Sequence, residues 1–377
     1  MKIAMIGHKR IPSREGGVEV VVEELSVRMA ALGHNITVYN RSGGHVSGTE
    51  YGRAEKVKSY KGVRVITVPT LQNRSLNALI YSFLASLHAL FGGYDLIHYH
   101  AEGPSAMLFI PALFGKTTVS TVHGLDWQRS KWSGFASRFL MLGERTLAKK
   151  ADAVIVLSEN AKRYFEEAYS RKTYYIPNAV SMPVKLGPSE IRTKYGLKGG
   201  DYILFLARIV PEKGIHYLLE AFSKVKTDKM LVIAGGGSHT EDYVRQMRQL
   251  ASKDKRVIMT GFVQGDELSE LYTNCCLYVL PSDIEGMPLS LLEAMSYGCR
   301  CLVSDIWENT SVSGSFAFSF KAGDVNDLQE KLQSAADGNL TYPSPEDISA
   351  YILSHFSWDD ITAQTLDLYK KQVLNNV

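Results

Sequence analysis

The sequence predicts two doubly wound α/β domains. Its 377 residues exceed what one hydrophobic core usually serves, so two domains are expected. Short β-rich apolar runs alternate with amphipathic helical stretches, the mark of parallel sheets covered by helices. The alternation pauses at 181–198, which holds Pro183, Gly187 and Pro188, and then begins again.

In the first half, strands are expected at 2–7, 36–40, 63–68, 96–99, 117–122, 154–157 and 174–176. A helix over 17–32 is stopped by Gly33. A second covers 76–91, where Leu76, Leu79, Ile80, Phe83, Leu84, Leu87 and Leu90 follow helical spacing and mark its core face. Ser82, Ser86 and His88 interrupt that run, so it is not a membrane span. In the second half, strands are expected at 202–207, 230–234, 257–260, 277–279 and 300–303, with a helix over 215–224. Residues 1–183 and 184–357 make the two domains. The helix 358–377 is expected to pack back on the first.

Composition narrows the function. An apolar fraction of 45% with 21% charged residues is that of an ordinary soluble protein. Up to Pro183, Lys and Arg outnumber Asp and Glu by 23 to 14; beyond it they are outnumbered by 19 to 25. A basic first half suits an anionic partner: nucleic acid, a phospholipid surface or a pyrophosphate-linked acceptor. Cys275, Cys276, Cys299 and Cys301 lack zinc-site spacing and lie in apolar runs, which points to buried, reduced thiols and a reducing, cytoplasmic compartment. No secretory h-region follows MKIAMIGHKR.

Doubly wound sheets bind ligands at the carboxyl ends of their strands, and the chemistry-bearing residues fall there. Gly16 and Gly17 open the first helix, either as a plain tight turn or as a place where amides meet an anion. His123 follows the strand 117–122, placed to bond a sugar hydroxyl or to serve the backbone. Arg208 and Lys213 bracket a strand-to-helix junction. A guanidinium fork, an ammonium and helix amides make a pyrophosphate site without a metal. Gly235, in a run of three glycines after 230–234, allows a ligand close. In PSDIEGMPLSLLEAMSYG, Glu285 sits in a loop, Pro288 in a first helical turn and Glu293 in the helix. Both carboxylates can accept bonds from hydroxyls, and amides near Met287 and Leu289 would lie beside a diphosphate.

Glu285 and Glu293 in that spacing resemble the signature of the retaining glycosyltransferases of GT-B fold, family 4. The other motifs resemble the family in order along the chain: Gly16-Gly17 with Glu19, Gly33-His34, His123-Gly124, Ser158-Glu159, Pro177-Asn178-Ala179-Val180, Arg208 to Gly214 and Gly298 to Asp305. Ala207 and Ala179 depart from it, standing where glycine is common. The resemblance implies two Rossmann-like domains facing a cleft, the first for the acceptor and the second for a nucleotide-sugar donor (UDP-, GDP-, ADP- or dTDP-linked). It implies that Arg208 and Lys213 neutralise the diphosphate, Glu285 holds the transferred sugar and Glu293 the ribose. His123 would contact the sugar near the reacting carbon, and Gly16-Gly17 would place amides near the phosphate. Retention follows from the same resemblance, as does a glycan or lipid-linked acceptor in polysaccharide or glycolipid assembly. No cofactor and no essential metal are expected, since no Asp-x-Asp cluster ends a strand.

Three other readings weaken on sequence. A nicotinamide oxidoreductase needs G-x-G-x-x-G after a strand, which is missing. A non-catalytic sugar-nucleotide sensor would have lost an Arg, Lys or Glu that this chain keeps. A nucleotide-sugar epimerase on the same fold is closer, but the paired Arg/Lys and Glu/Glu motifs favour transfer. Nucleic acid is not an expected partner. The stretch 127–150 mixes Arg129, Lys131, Arg138, Arg145, Lys149 and Lys150 with Trp127, Trp132, Phe135 and Phe139. It suits an anionic membrane surface, or a solvated helix whose aromatics enter the core.

Overall fold

The computed structural model describes residues 1–43, 57–71, 74–125, 134–237 and 240–376. Two compact units result: Met1–Asn178 joined by Trp358–Val377, and Ala179–Ser357. The division falls after Asn178 rather than Pro183, because Val180 bridges to Ser357 and its amide bonds Phe356 O at 3.0 Å.

The first unit runs β1 (Lys2–Ile6), α1 (Gly17–Ala31), β2 (Asn35–Arg41), β3 (Ser59–Tyr60), β4 (Val63–Val68), α2 (Arg74–Leu90), β5 (Leu96–His100), α3 (Glu102–Ser105), α4 (Phe109–Leu113), β6 (Thr118–Val122), α5 (Phe135–Lys150), β7 (Ala153–Val156), α6 (Glu159–Tyr169) and β8 (Tyr174–Tyr175). Among the described residues its strands order as β3-β4-β2-β1-β5-β6-β7-β8. All neighbours are parallel except β3 and β4. The two-residue β3 carries too little pattern to be read from sequence.

The second unit runs α7 (Glu190–Tyr195), β9 (Tyr202–Leu206), α8 (Ile215–Ser223), β10 (Met230–Ala234), α9 (Glu241–Ala251), β11 (Val257–Gly261), α10 (Gly265–Asn274), β12 (Leu277–Leu280), α11 (Leu289–Ser296), β13 (Cys301–Ser304), α12 (Trp307–Ser313), β14 (Phe318–Phe320), α13 (Val325–Ala336) and α14 (Pro345–His355). Six parallel strands order as β11-β10-β9-β12-β13-β14. The final helix, α15 (Trp358–Asn375), returns to the first unit, where buried Tyr369 bonds His98 on β5.

Each sheet reverses its winding once, between β1 and β5 and between β9 and β12. Doubly wound folds place ligands outside the carboxyl ends of strands at such points.

One expectation fails in α2. Phe83 and Leu87, assigned to the core face, are exposed, while Tyr81, Ser82, Ala85, Ser86 and Ala89 are buried. The serines can be buried because they are hydrogen-bonded. Ser82 donates to Ala78 O at 2.6 Å, and Ser86 Oγ accepts from Tyr99 at 2.8 Å. Small side chains then let α2 lie close on the sheet. The thiols are also less uniform than expected: Cys299 and Cys301 are buried, Cys275 and Cys276 only half-buried.

Candidate active site

In the second unit, β9 delivers Arg208 and the 3-10 turn Pro211–Lys213 delivers the lysine. Gly214 closes that turn at φ +65°, and a Cβ there would lie 2.0 Å from Pro281 O. Only glycine lets the turn settle on the loop that follows β12. The contact is locked by the Asp283 amide, which donates to Glu212 O at 2.9 Å.

That docking brings Lys213 Nζ onto Glu285 Oε1 in an ion pair. The side chains are only 12% and 7% exposed, so little water screens them. Ser282 Oγ donates to the same oxygen at 2.7 Å. Behind it, Ser304 Oγ reaches Ser282 O at 2.5 Å and Asn309 Nδ2 reaches Ser304 Oγ at 2.9 Å. The loop carboxylate is therefore held by a chain of polar contacts running back to β13 and α12.

Helix α11 begins at Leu289, with Pro288 as its N-cap rather than in its first turn. The opening amides of a helix have no intrahelical acceptor, which suits an anion near Met287 and Leu289. Glu293, half-buried one turn on, accepts from Tyr272 OH at 3.1 Å. Ser290 Oγ accepts from Tyr278 at 2.9 Å, fixing the first turn. Gly235 has its need for glycine explained by packing: a Cβ would meet Ala207 O at 1.8 Å, and its amide is committed to Gly261 O at 2.8 Å. Its neighbours Ser238 and His239 lie outside the described residues.

The structure thus joins Lys213 and Glu285 directly, where the sequence had given them separate duties. Ser282, Tyr272 and Asn309 were missed. Serine and asparagine carry no distinguishing spacing, and Tyr272 comes from α10, remote in sequence. A cavity of about 830 Å³ opens at the opposite, amino-terminal ends of these strands, lined by Lys229, Cys276, Arg300 and Tyr342 among others. Of the residues above it includes Tyr272 alone.

In the first unit, the loop after β1 is pinned by Asn40, whose Oδ1 lies 3.0 Å from His8 Nε2 and accepts from the Ile11 amide at 3.0 Å. Gly16 is the extended N-cap of α1, and a Cβ there would come within 2.7 Å of Glu19 Oε2. The carboxylate beside the Gly16-Gly17 turn is therefore the chain's own, with Glu19 Oε1 accepting from the Lys9 amide at 2.9 Å. Burial pushes the Glu19 carboxyl up, but the Lys9 charge and amide outweigh it and hold the group below its ordinary value.

His123 follows β6, half-buried, with Nε2 3.1 Å from His100 Nδ1. His100 stacks near His98 at 4.1 Å between ring centroids, and His98 Nε2 is 2.8 Å from Thr121 Oγ1. Burial, then the neighbouring imidazoles, lowers His100 well below its ordinary value. Burial and then His123 lower His98 to about 3. These rings are neutral near pH 7 and orient His123 as dipoles rather than charges. Asp126, Trp127, Arg129, Lys131 and Trp132 lie outside the described residues.

Comparison with known proteins agrees with this geometry. Residues 189–353 match the glycosyl transferases group 1, and residues 15–182 match Glycosyltransferase Family 4. The chain is 30% identical over 250 residues to the glycosyltransferase YqgM of Bacillus subtilis, covering 62% of this chain and 67% of that one.

The chain belongs to glycosyltransferase family 4.

It is also 28% identical over 334 residues to an Escherichia coli UDP-Gal:alpha-D-GlcNAc-diphosphoundecaprenol alpha-1,3-galactosyltransferase, covering 83% of this chain and 85% of that one. The fold is GT-B. The sucrose-phosphate synthase of Thermosynechococcus elongatus superposes with TM-score 0.82 over 98% of each chain at 19% identity. HepE of Anabaena, solved with UDP and glucose, gives 0.80 at 18% identity over 98% of this chain and 100% of that one. Among the described residues no helix is long and apolar enough to cross a membrane.

Proposed function

We propose that this glycosyltransferase moves a sugar from a nucleoside-diphosphate donor to a hydroxyl of a lipid-linked glycan, with retention of configuration and without an essential metal. The observation that carries the reading is the Lys213–Glu285 pair with Ser282, set where the second sheet reverses its winding. A largely buried ammonium beside a held carboxylate offers opposite charges for the two halves of a sugar diphosphate.

Lys213 and Arg208 take the diphosphate with the amides at Met287 and Leu289. Glu285 accepts from the hydroxyls of the sugar, and Glu293 from those of the ribose. The loop at Gly235 borders the nucleotide. In the first unit, His123 and the amides at Gly16-Gly17 are the candidate ligand contacts, and the acceptor binds to that unit. The bond from the anomeric carbon to the phosphate oxygen breaks and the bond to the acceptor oxygen forms on the same face. The acceptor proton passes to the departing phosphate. Charge grows on the diphosphate as the bond lengthens, so fixed cations favour the transition state over the ground state.

The name of the Escherichia coli relative gives its donor as UDP-Gal and its acceptor as a diphosphoundecaprenol-linked sugar, and HepE was solved with UDP. UDP-hexoses therefore head the test. Thermal unfolding is followed with UDP-, GDP-, ADP- and dTDP-sugars, with and without EDTA. A donor at a hundred times its dissociation constant should stabilise by roughly 2.7 kcal/mol. The rise should survive EDTA and vanish in Lys213→Ala. A shift that needs a divalent metal would sink the metal-free reading. Conversion of the donor sugar to its epimer, without transfer, would favour the epimerase.

A further inference from the structure

Three helices of the first unit turn an apolar, cationic face to solvent. On α2, Phe83 and Leu87 lie one turn apart, with Phe91 just past its end and 80% exposed. On α4, Phe109 and Leu113 are again one turn apart, and Leu113 and the adjoining Phe114 are 69% and 68% exposed. Helix α4 packs against both α2 and α5. On α5 the exposed side chains Arg138, Met141, Leu142, Arg145 and Lys149 recur at helical spacing along one stripe.

The orientation of α5 is fixed from behind. A Cβ on Gly143 would lie 1.9 Å from Glu102 O, so α3 and α5 meet backbone to backbone. Leu140, Glu144, Leu147 and Ala148 face inward with that glycine. Phe139 is half-buried and approaches the position of Gly103, so this aromatic turns toward the protein, and Met141 and Leu142 turn out.

Among the described residues of these helices, exposed charge has one sign. Helices α2 to α5 contain two carboxylates, Glu102 and Glu144, and both are buried. Glu144 accepts from Tyr164 at 2.7 Å and from Tyr169. Arg138, Arg145, Lys149 and Lys150 are exposed, and among the described residues none of them forms an ion pair. A monomeric protein rarely leaves so many phenylalanine and leucine side chains together in water without use. Apolar side chains bordered by cations, with no exposed acid among the described residues of these helices, match the boundary between anionic headgroups and acyl chains.

We propose that the α2–α4–α5 face docks on an anionic lipid bilayer, Phe91, Leu113 and Phe114 entering the acyl boundary and Arg138, Arg145 and Lys149 meeting phosphates. This rests on the lipid-linked acceptor proposed above and names the surface through which the enzyme reaches it. The basic excess of the first half finds its partner here, and the acidic second half stays in water.

Flotation with vesicles tests the proposal without donor or acceptor, so its outcome is separate from that of the nucleotide panel. Wild-type protein is mixed with phosphatidylcholine vesicles and with vesicles containing one quarter phosphatidylglycerol, at 50 mM and 500 mM salt. Binding to the anionic vesicles should be at least tenfold tighter at low salt. The triple substitution Arg138→Ser, Arg145→Ser, Lys149→Ser should erase that preference. The triple Phe91→Ser, Leu113→Ser, Phe114→Ser should release at 500 mM salt whatever wild type retains. All six side chains are solvent-exposed, so both variants should keep the wild-type melting midpoint and sugar-nucleotide shift. Equal binding to both vesicle types, or none to either, overturns the proposal. So does self-association in solution that the apolar triple abolishes while vesicle binding is unchanged, since the face would then join two copies of the chain.

Discussion

The two points where the sheets reverse their winding surround their candidate residues with different charge. Between β9 and β12, charge is kept and paired: Lys213 with Glu285, the carboxylate steadied by Ser282. Beside His123, at the ends of β5 and β6, the side chains are neutral: His98 and His100 are buried and linked ring to ring toward His123, His8 after β1 is neutral on Asn40, and the ions of that loop, Glu19 with Lys9, are held by the chain itself. The first arrangement suits a ligand that arrives charged and leaves more charged. The second suits an uncharged hydroxyl, which needs oriented dipoles rather than ions. The donor and acceptor roles proposed for the two units follow this contrast.

The largest effect should come from removing the fixed cation. Lys213→Ala should lower kcat by about 10²–10³-fold, the cost of deleting one preorganised charge at a developing anion. Steady-state kinetics with folded protein checks it. A loss confined to KM would mean that the lysine binds donor and transition state alike, and would break the contrast on the charged side.

Acid should act next, and on the neutral side. Burial, and then the His123 charge, lowers His98 to about 3; burial lowers His8 to about 4, opposed by its Asn40 bond. The unfolded chain takes protons near pH 6.5 that these folded rings refuse. Their stabilising contribution is therefore complete above 6.5 and is lost as pH falls toward 4 and 3. At pH 5.5 each ring should cost about 1.4 kcal/mol relative to pH 7.5 or above. A denaturant midpoint unmoved between those pH values would remove the neutral histidines from the comparison.

Smaller changes sharpen it. Gly143→Ala places a methyl where Glu102 O already sits and should destabilise the protein by about 2 kcal/mol, read by chemical denaturation. The same substitution tests the backing that holds the lipid-facing stripe outward. Glu285→Gln should bind UDP several-fold more tightly, because the diphosphate no longer competes with a carboxylate for Lys213, while transfer slows. Calorimetry with UDP and a turnover assay should move in opposite directions, and parallel losses would argue against the competition. Tyr272→Phe removes one bond to Glu293 and should raise the donor KM by about fivefold, roughly 1 kcal/mol, with little change in kcat.

Much of this was legible in the chain. Short apolar, β-rich runs between helical stretches located nearly every strand within a residue or two, because parallel strands buried on both faces read as apolar runs. Arg208 and Glu285 could be nominated because they fall in the loops after β9 and β12, with Lys213 in the turn before α8 and Glu293 inside α11, and loops at strand ends are where a doubly wound sheet can hold a ligand. The face of α2 was misread because hydrophobicity ranks Phe83 above Ser86, while the sheet selects small side chains with satisfied hydroxyls.

The sequence by itself determined the class of the fold, the order of its elements and the residue types that can meet a diphosphate. Those follow from local periodicity and from chemistry carried by single side chains. Only the tertiary structure decided which of them meet. Lys213 and Glu285 are joined because Gly214 allows a turn to rest on Pro281 O, and His100 reaches His123 across β5 and β6. The outward stripe of α5 exists because Gly143 lets α3 approach. Each is a contact between backbones or side chains far apart along the chain. Its sign and energy depend on distances of an ångström or two, which no local pattern encodes.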